Sequence, residues 1–225
     1  MTWYAAREAR FQRDLDAMAP AWWEALGDAV HEDDRESIRG AARAVLSSVL
    51  PRLEDPGLAL LRSFTGGAVP YLAWLAAMKR HGLPTPTIAA AFERVARGRF
   101  EAMPAIVRSL AGWMTFTPLV RGPYRRHAAR SAQTPLGGWS WEVTEGEHFG
   151  VHYTRCPLAD RMAELELGDV GPLLCQLDRY SSEAMGWGLH RTGTLAGGAR
   201  RCDFTFRRGA PTEVEAPPFT RSIKD

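Results

Sequence analysis

Three cysteines, an aspartate and an arginine in the last third of the chain are the residues whose types could do chemistry. Cys156 opens Cys-Pro-Leu-Ala-Asp, Cys175 lies in Leu-Leu-Cys-Gln-Leu-Asp, and Cys202 lies in Arg-Cys-Asp-Phe-Thr-Phe. The nucleophilic form of cysteine is the thiolate, and a carboxylic acid beside it can carry protons. On a helix beginning near Gly171-Pro172, Cys175, Asp178 and Ser182 fall at i, i+3 and i+7. That spacing sets a thiol, a carboxylate and a hydroxyl on one stripe at the flank of the apolar face. The exposed N–H groups and dipole of the helix start favour thiolate over thiol, and Cys156 has the same advantage as N-cap of the preceding helix.

The elements that must position these groups follow from periodicity. Trp139, Trp141 and Val143 alternate with Ser140, Glu142 and Thr144, which predicts a half-buried strand. A turn at Glu145-Gly146-Glu147 leads into a second strand from Gly150 to Cys156. A short helix begins at Cys156-Pro157 and runs to about Leu167, and one continuous helix runs from about Pro172 to Met185. Strands at Leu189–Leu195 and Arg200–Arg207 close the unit through a Gly197-Gly198 turn. A two-residue turn there sets Leu195 opposite Arg200 and Gly193 opposite Cys202. Arg191, Gly193, Cys202, Phe204 and Phe206 then share one face. An arginine on so apolar a face needs an anionic partner, and either a protein carboxylate or a substrate carboxylate would serve. Gly193 opposite Cys202 leaves room for something small beside the thiol.

The bland alternatives stay open. A free cysteine is among the commonest small core residues, and Arg191 with Asp178 could be a plain structural ion pair. His148, His152 and His190 lack metal-ligand spacing, and the thiols include no C-x-x-C pair, so no metal is expected. Gly197-Gly198 joins two strands and opens no helix, so it is no phosphate loop.

Upstream the pattern is helical. Apolar residues recur at helical spacing from Tyr4 to about His31, with Pro20 expected to divide the run in two. Asp33 or Asp34 is the expected N-cap of a helix through Ile38, Ala42, Val45 and Leu46, ended by Pro51. Further helices are predicted over Leu58–Phe64, Val69–His81, Thr87–Leu110 (split or kinked at Pro104) and onward from Pro118 to Ala132. The tryptophans and phenylalanines fall at i, i+3 and i+4 and read as core. The fold class is therefore α+β, a helical front half followed by a β-β-α-α-β-β unit with a small antiparallel sheet. We expect a single domain over 1–225, with 1–133 helical, 134–209 carrying the site and 210–225 an extended tail.

At 225 residues, 45% hydrophobic and 24% charged, the chain has the composition of a globular protein with a real core. A formal net charge of +2 argues against nucleic acid as a partner. Arg121, Arg125, Arg126 and Arg130 cluster, but the helical period scatters them, so they read as a solvated face. The N-terminus has no basic-then-apolar signal pattern, and no apolar run approaches the ~18 residues of a membrane span. An odd number of unpaired cysteines points to a reducing, cytoplasmic setting.

The region Phe149 to Phe206 resembles the L-2-amino-thiazoline-4-carboxylic acid hydrolase family. The matching residues are Cys156, Leu174-Cys175-x-x-Asp178, Gly186, Arg191-Thr192-x-Thr194-Leu195-Ala196-x-Gly198 and Cys202-Asp203-Phe204-x-Phe206. The likeness extends more loosely upstream through Ser131-Ala132-Gln133 to Trp141 and the helical half. Gly193 departs from the pattern, standing where a larger, often basic residue is expected. The resemblance implies an enzyme that opens the ring of 2-amino-thiazoline-4-carboxylate with water, giving N-carbamoyl-cysteine. It implies Cys175 or Cys156 as nucleophile, Asp178 as acid/base and Arg191 as anchor for the substrate carboxylate. Cys202, Thr192 and His152 are assigned to the substrate-binding surface with Arg191. The expected partner is a small molecule, without a cofactor or a membrane, and self-association into a homo-oligomer is left open. Isomerisation or ring closure in specialised metabolism, or a non-catalytic binding module, are the alternative functions.

Overall fold

The computed structural model describes residues 1–144 and 146–215. In chain order its helices are α1 (Glu8–Leu26), α2 (Glu32–Val49), α3 (Ala59–Arg80), α4 (Thr85–Glu101), α5 (Ala105–Thr115), α6 (Pro118–Gln133), α7 (Pro157–Glu164), α8 (Gly171–Leu174) and α9 (Leu177–Met185). The strands are β1 (Ser140–Thr144), β2 (Phe149–Arg155), β3 (Leu189–Arg191), β4 (Cys202–Phe206) and β5 (Glu213–Val214). The architecture is α+β, as the periodicity implies. Two compact units are present among the described residues: Met1–Val95 with Leu158–Leu174, and Ala96–Pro157 with the chain from Cys175 onward. Among the described residues no helix is long and apolar enough to cross a membrane.

The first unit is helical and built on aromatic packing. Trp22 lies 5.9 Å from Trp74 and 6.4 Å from Tyr71, and Tyr71 lies 5.7 Å from Phe92, ring centre to ring centre. The Trp74 indole donates to the Leu15 carbonyl at 3.3 Å, which satisfies its buried N–H. Two expected helix breaks do not occur. α1 runs through Pro20, and α3 runs through Gly66, Gly67 and Pro70. Burial decides both cases: Leu15, Met18, Ala19 and Trp22 are buried around Pro20, and every residue from Ala68 to Met78 is buried, which outweighs a missing backbone bond and two glycines. α2 begins one residue before Asp33, so Glu32, Asp33 and Asp34 fill its first turn rather than capping it. Acidic side chains there suit the positive end of the helix dipole.

The second unit carries the sheet. Its strand order is β1-β2-β4-β3-β5. β1, β2, β4 and β3 pair antiparallel, but β5 joins β3 in parallel, so the sheet is mixed rather than wholly antiparallel. Part of the expected extended tail thus forms an edge strand; residues 216–225 of that tail, and Glu145 of the expected turn, lie outside the described residues. α6 is tied to β1 through Ser131, whose hydroxyl accepts from the Trp141 amide at 3.1 Å. The Ser140 hydroxyl returns a bond to the Ser131 carbonyl at 2.9 Å, and the Trp141 indole donates to the Tyr124 carbonyl at 3.1 Å. The chain splits at Pro104 as anticipated, since α4 ends at Glu101 and α5 begins at Ala105.

Three further expectations are corrected in this unit. The helix expected from Pro172 to Met185 is two helices, with Cys175 and Gln176 at the break between α8 and α9. Not all aromatics are core: Trp113 on α5 is 51% exposed, together with Ile106 at 79% and Leu110 at 54%. Arg125, Arg126 and Arg130 are exposed as a solvated face implies, but Arg121 is only partly so, and with Arg125 it forms a local pair. These two stand one turn apart on α6 and line a cleft with Phe149 and Phe206.

Candidate active site

The β2–β4 ladder sets Phe149 opposite Phe206, Val151 opposite Phe204, and Tyr153 opposite Cys202. Side chains alternate along a strand, so these six residues project from one face of the sheet. β3 pairs Leu189 with Phe206 and His190 with Thr205, the register implied by Leu195 opposite Arg200. The ladder stops there, however. The chain leaves β3 through a loop containing a short 3-10 turn at Leu195–Gly197, not through a two-residue hairpin turn. Asp203 explains this: its carboxylate accepts the Thr192 amide at 3.0 Å and the Gly193 amide at 2.9 Å, and also the Thr192 hydroxyl. Those amides are therefore capped rather than paired with β4. A Cβ at Gly193 would come 2.9 Å from the Ala199 Cβ. The glycine accommodates the loop's own closure, and the expected room beside Cys202 is taken up by that loop.

Arg191, at the end of β3, is buried with its side chain only 2% exposed. Its guanidinium carbon lies 5.6 Å from the Phe204 ring centre, which confirms the shared face. Nη1 donates twice, to Asp178 Oδ2 at 2.9 Å and to the Cys175 carbonyl at 2.7 Å. Asp178 stands in the first turn of α9. That helix is seated by Gly112 of α5, where any Cβ would fall 2.1 Å from the Met185 carbonyl oxygen. Arg97 also donates to Glu183 of α9 at 3.0 Å.

The electrostatics of this group are set by burial. Desolvation raises the Asp178 carboxyl from 3.8 to about 6, and the attraction of Arg191 opposes that rise without overcoming it. Cys175 keeps part of its surface exposed as a residue, yet its thiol is packed. Burial pushes that thiol up to about 12; Arg191 lowers it, and Asp178 and Cys202 raise it. The Cys202 thiol is likewise raised by burial, to about 11, although its sulfur accepts the Leu195 amide at 3.3 Å. The expectation that a helix start holds Cys175 as thiolate is thus corrected. Cys175 sits between two short helices, and low polarity outweighs the dipole.

The expected site residues therefore fall into three places. Cys175, Asp178, Arg191 and Cys202 come together. Thr192 and His152 do not join them. His152 pairs across the ladder with Asp203 and so projects from the sheet face opposite Tyr153 and Cys202. Burial lowers its pKa, Arg201 adds to that, and its Nδ1 is buried without a hydrogen-bond partner. Asp203 is the centre of that second group. Burial would raise its carboxyl, but the Thr192 hydroxyl and the loop amides bring it below its ordinary value. Cys156 stands beyond the end of β2, immediately before α7, and is partly exposed.

Three residues of the buried group carry no role in the sequence reading, although Thr194 stands in the quoted family motif. Thr194 hydrogen-bonds the Cys175 thiol and caps the 3-10 turn by accepting the Gly197 amide at 3.0 Å. The Tyr153 hydroxyl donates to the Tyr124 hydroxyl at 3.2 Å. Burial raises Tyr124 to about 12 and Tyr153 well above its ordinary value, and both feel the charge of Asp178. A tyrosine on a strand's buried face needs a partner for its hydroxyl, and that was the available signal. Among the described residues no three His, Cys, Asp or Glu side chains gather as a metal-binding group.

A family model described as L-2-amino-thiazoline-4-carboxylic acid hydrolase matches residues 64–206, more than half of the chain. The chain belongs to that family. The matched span includes every residue of the buried group and both tyrosines behind it. It also begins upstream of the strands, at Phe64 in α3, so the hydrolase family pattern takes in helices as well as the sheet. Searches of curated proteins and of solved structures returned no match.

Proposed function

We propose that this protein is a hydrolase that opens a small, carboxylate-bearing cyclic amidine or thiazoline. The observation that carries the reading is the buried Arg191, whose Nη1 holds both Asp178 and the Cys175 carbonyl beside two thiols. Both bonds leave from one nitrogen, and the guanidinium has further N–H donors on Nε and Nη2 of the kind that suit a substrate carboxylate. Family membership supports the hydrolytic class.

The chemistry then runs in two halves. Cys175 starts as a thiol, so its proton must leave as its sulfur adds to the ring carbon between nitrogen and sulfur. Asp178, with a carboxyl near 6, accepts that proton. The ring carbon–sulfur bond breaks, and Asp178 returns the proton to the departing ring sulfur. Water then attacks the isothiourea held on Cys175, with Asp178 taking one of its protons. Collapse frees Cys175 as thiol and leaves the urea of the product. Each half is an easier displacement than direct attack of water on the ring. In this reading Cys202 lines the pocket, and Thr192 and His152 support the loop and the sheet from the far face. Cys156 takes no part.

The raised thiol pKa values favour one alternative from another class, a binding module that needs no activated sulfur. The test is turnover of 2-amino-thiazoline-4-carboxylate to N-carbamoyl-cysteine, followed by mass spectrometry, for the wild type and for D178N, C175S, C202S and C156S. We expect D178N and C175S to lose at least a hundredfold in kcat/KM, C202S to lose less, and C156S to match wild type. Full turnover in C175S would remove covalent catalysis. Ligand binding without turnover of any cyclic amidine would leave the binding module.

A further inference from the structure

A second group of charged residues in the sheet-bearing unit plays no part in the ring-opening chemistry. It lies at the other end of the same sheet face. Phe206 and Cys202 are four residues apart on β4, about 13 Å along an extended strand. Around Phe206 opens a cleft of about 370 Å³, within the size range of small-molecule sites. Arg121, Arg125 and Arg208 line it with Phe116, Phe149 and Phe206.

Its centre is Arg121. The guanidinium carbon lies 4.7 Å from the Phe149 ring centre and 5.1 Å from that of Phe116, so aromatic rings flank the cation. A guanidinium held against ring faces directs its N–H donors outward in its own plane. Phe149 and Phe206 stack at 6.2 Å with a 24° angle between planes, which makes one wall of the cleft flat and apolar. No carboxylate among the described residues pairs with Arg121, and its Nε is buried without a hydrogen-bond partner. Among the described residues that line the cleft the acid is Glu147, which stands 3.8 Å from the His148 ring instead. Burial lowers the Arg121 pKa, and the like charge of Arg125 one turn away lowers it further. The fold thus sustains a partly desolvated cation beside a second one, at a free-energy cost that a bound anion would relieve.

We infer that this cleft is a binding site for a flat, ring-bearing anion, an aromatic or heteroaromatic carboxylate. The ring lies against the Phe149–Phe206 wall, and the carboxylate meets the in-plane donors of Arg121 with Arg208 at the mouth. This inference stands apart from the ring-opening reading, because none of the cleft residues belongs to the Asp178–Arg191 group.

The test uses the full chain, isothermal titration and three probes at matched ionic strength: benzoate, benzamide and acetate. Benzoate is expected to bind at least tenfold more tightly than benzamide, which lacks the charge, and than acetate, which lacks the ring. R208A, at an exposed position, is expected to weaken benzoate three- to tenfold, and R121A to abolish measurable binding. D178N is expected to leave benzoate affinity within twofold. Absent benzoate binding, equal affinity for benzamide or acetate, or wild-type affinity in R208A would each overturn the inference. So would loss of benzoate binding in R191M together with retention in R208A, since that places the anion at the other arginine.

Discussion

Asp178 Oδ2 and Arg191 Nη1 are 2.9 Å apart, with side chains 11% and 2% exposed, yet the carboxyl is held near 6 rather than below its ordinary 3.8. In most ion pairs attraction prevails and the acid becomes stronger. Here the loss of water around the carboxylate is the larger effect, and the arginine compensates only in part. The result is an acid that titrates at about 6 beside a guanidinium donor, a combination suited to proton transfer.

That shift makes folding stability depend on pH in a stated direction. The folded state holds the Asp178 proton more tightly than the unfolded chain, so its contribution is fully present below about 3.8. It is lost as pH rises toward 6 and is constant above that. A shift of this size corresponds to roughly 3 kcal/mol across the window. Urea unfolding at intervals from pH 3.5 to 7 should show wild type losing stability relative to D178N over that range. Parallel curves for the two proteins would mean that the carboxyl is not shifted.

The three thiols should differ in reactivity by position. Cys175 and Cys202 are raised by burial to about 12 and about 11, so little thiolate is present at neutral pH. Cys156 is partly exposed. Iodoacetamide at pH 7.5, followed by peptide mapping, should label Cys156 first by at least tenfold. Labelling of Cys175 and Cys202 should rise with pH through 10 and above. Early labelling of Cys175 at pH 7.5 would indicate a more polar environment than the packing implies.

Gly112 offers a test of how α9 is positioned. An added methyl would meet the Met185 carbonyl oxygen at 2.1 Å, so α5 and α9 must separate to admit it. G112A should lose about 1–3 kcal/mol of stability in chemical denaturation, the usual cost of overpacking. Because α9 carries Asp178, turnover should fall further than the loss of folded protein explains. Unchanged stability would show that the two helices are not in fixed contact there.

Local chemistry along the chain was enough for the α+β class, the break at Pro104, the strand positions from Trp139 onward and the pairing of Arg191 with a carboxylate. These features rest on periodicity and on the rule that a buried charge needs a partner, and both are written in neighbouring residues. Pro20 and the Gly66-Gly67-Pro70 stretch misled because their local cost is small beside the burial of the helix around them. Cys175 misled for a related reason. Its spacing from Asp178 is real, but the helix breaks at that residue, and the polarity around a sulfur is set by everything packed against it. Only the β2–β4 register put Tyr153 beside Cys202 and turned His152 to the opposite face with Asp203. Side-chain alternation has a period of two, so a one-residue change in register exchanges the two faces, and register is a long-range property that no segment carries alone.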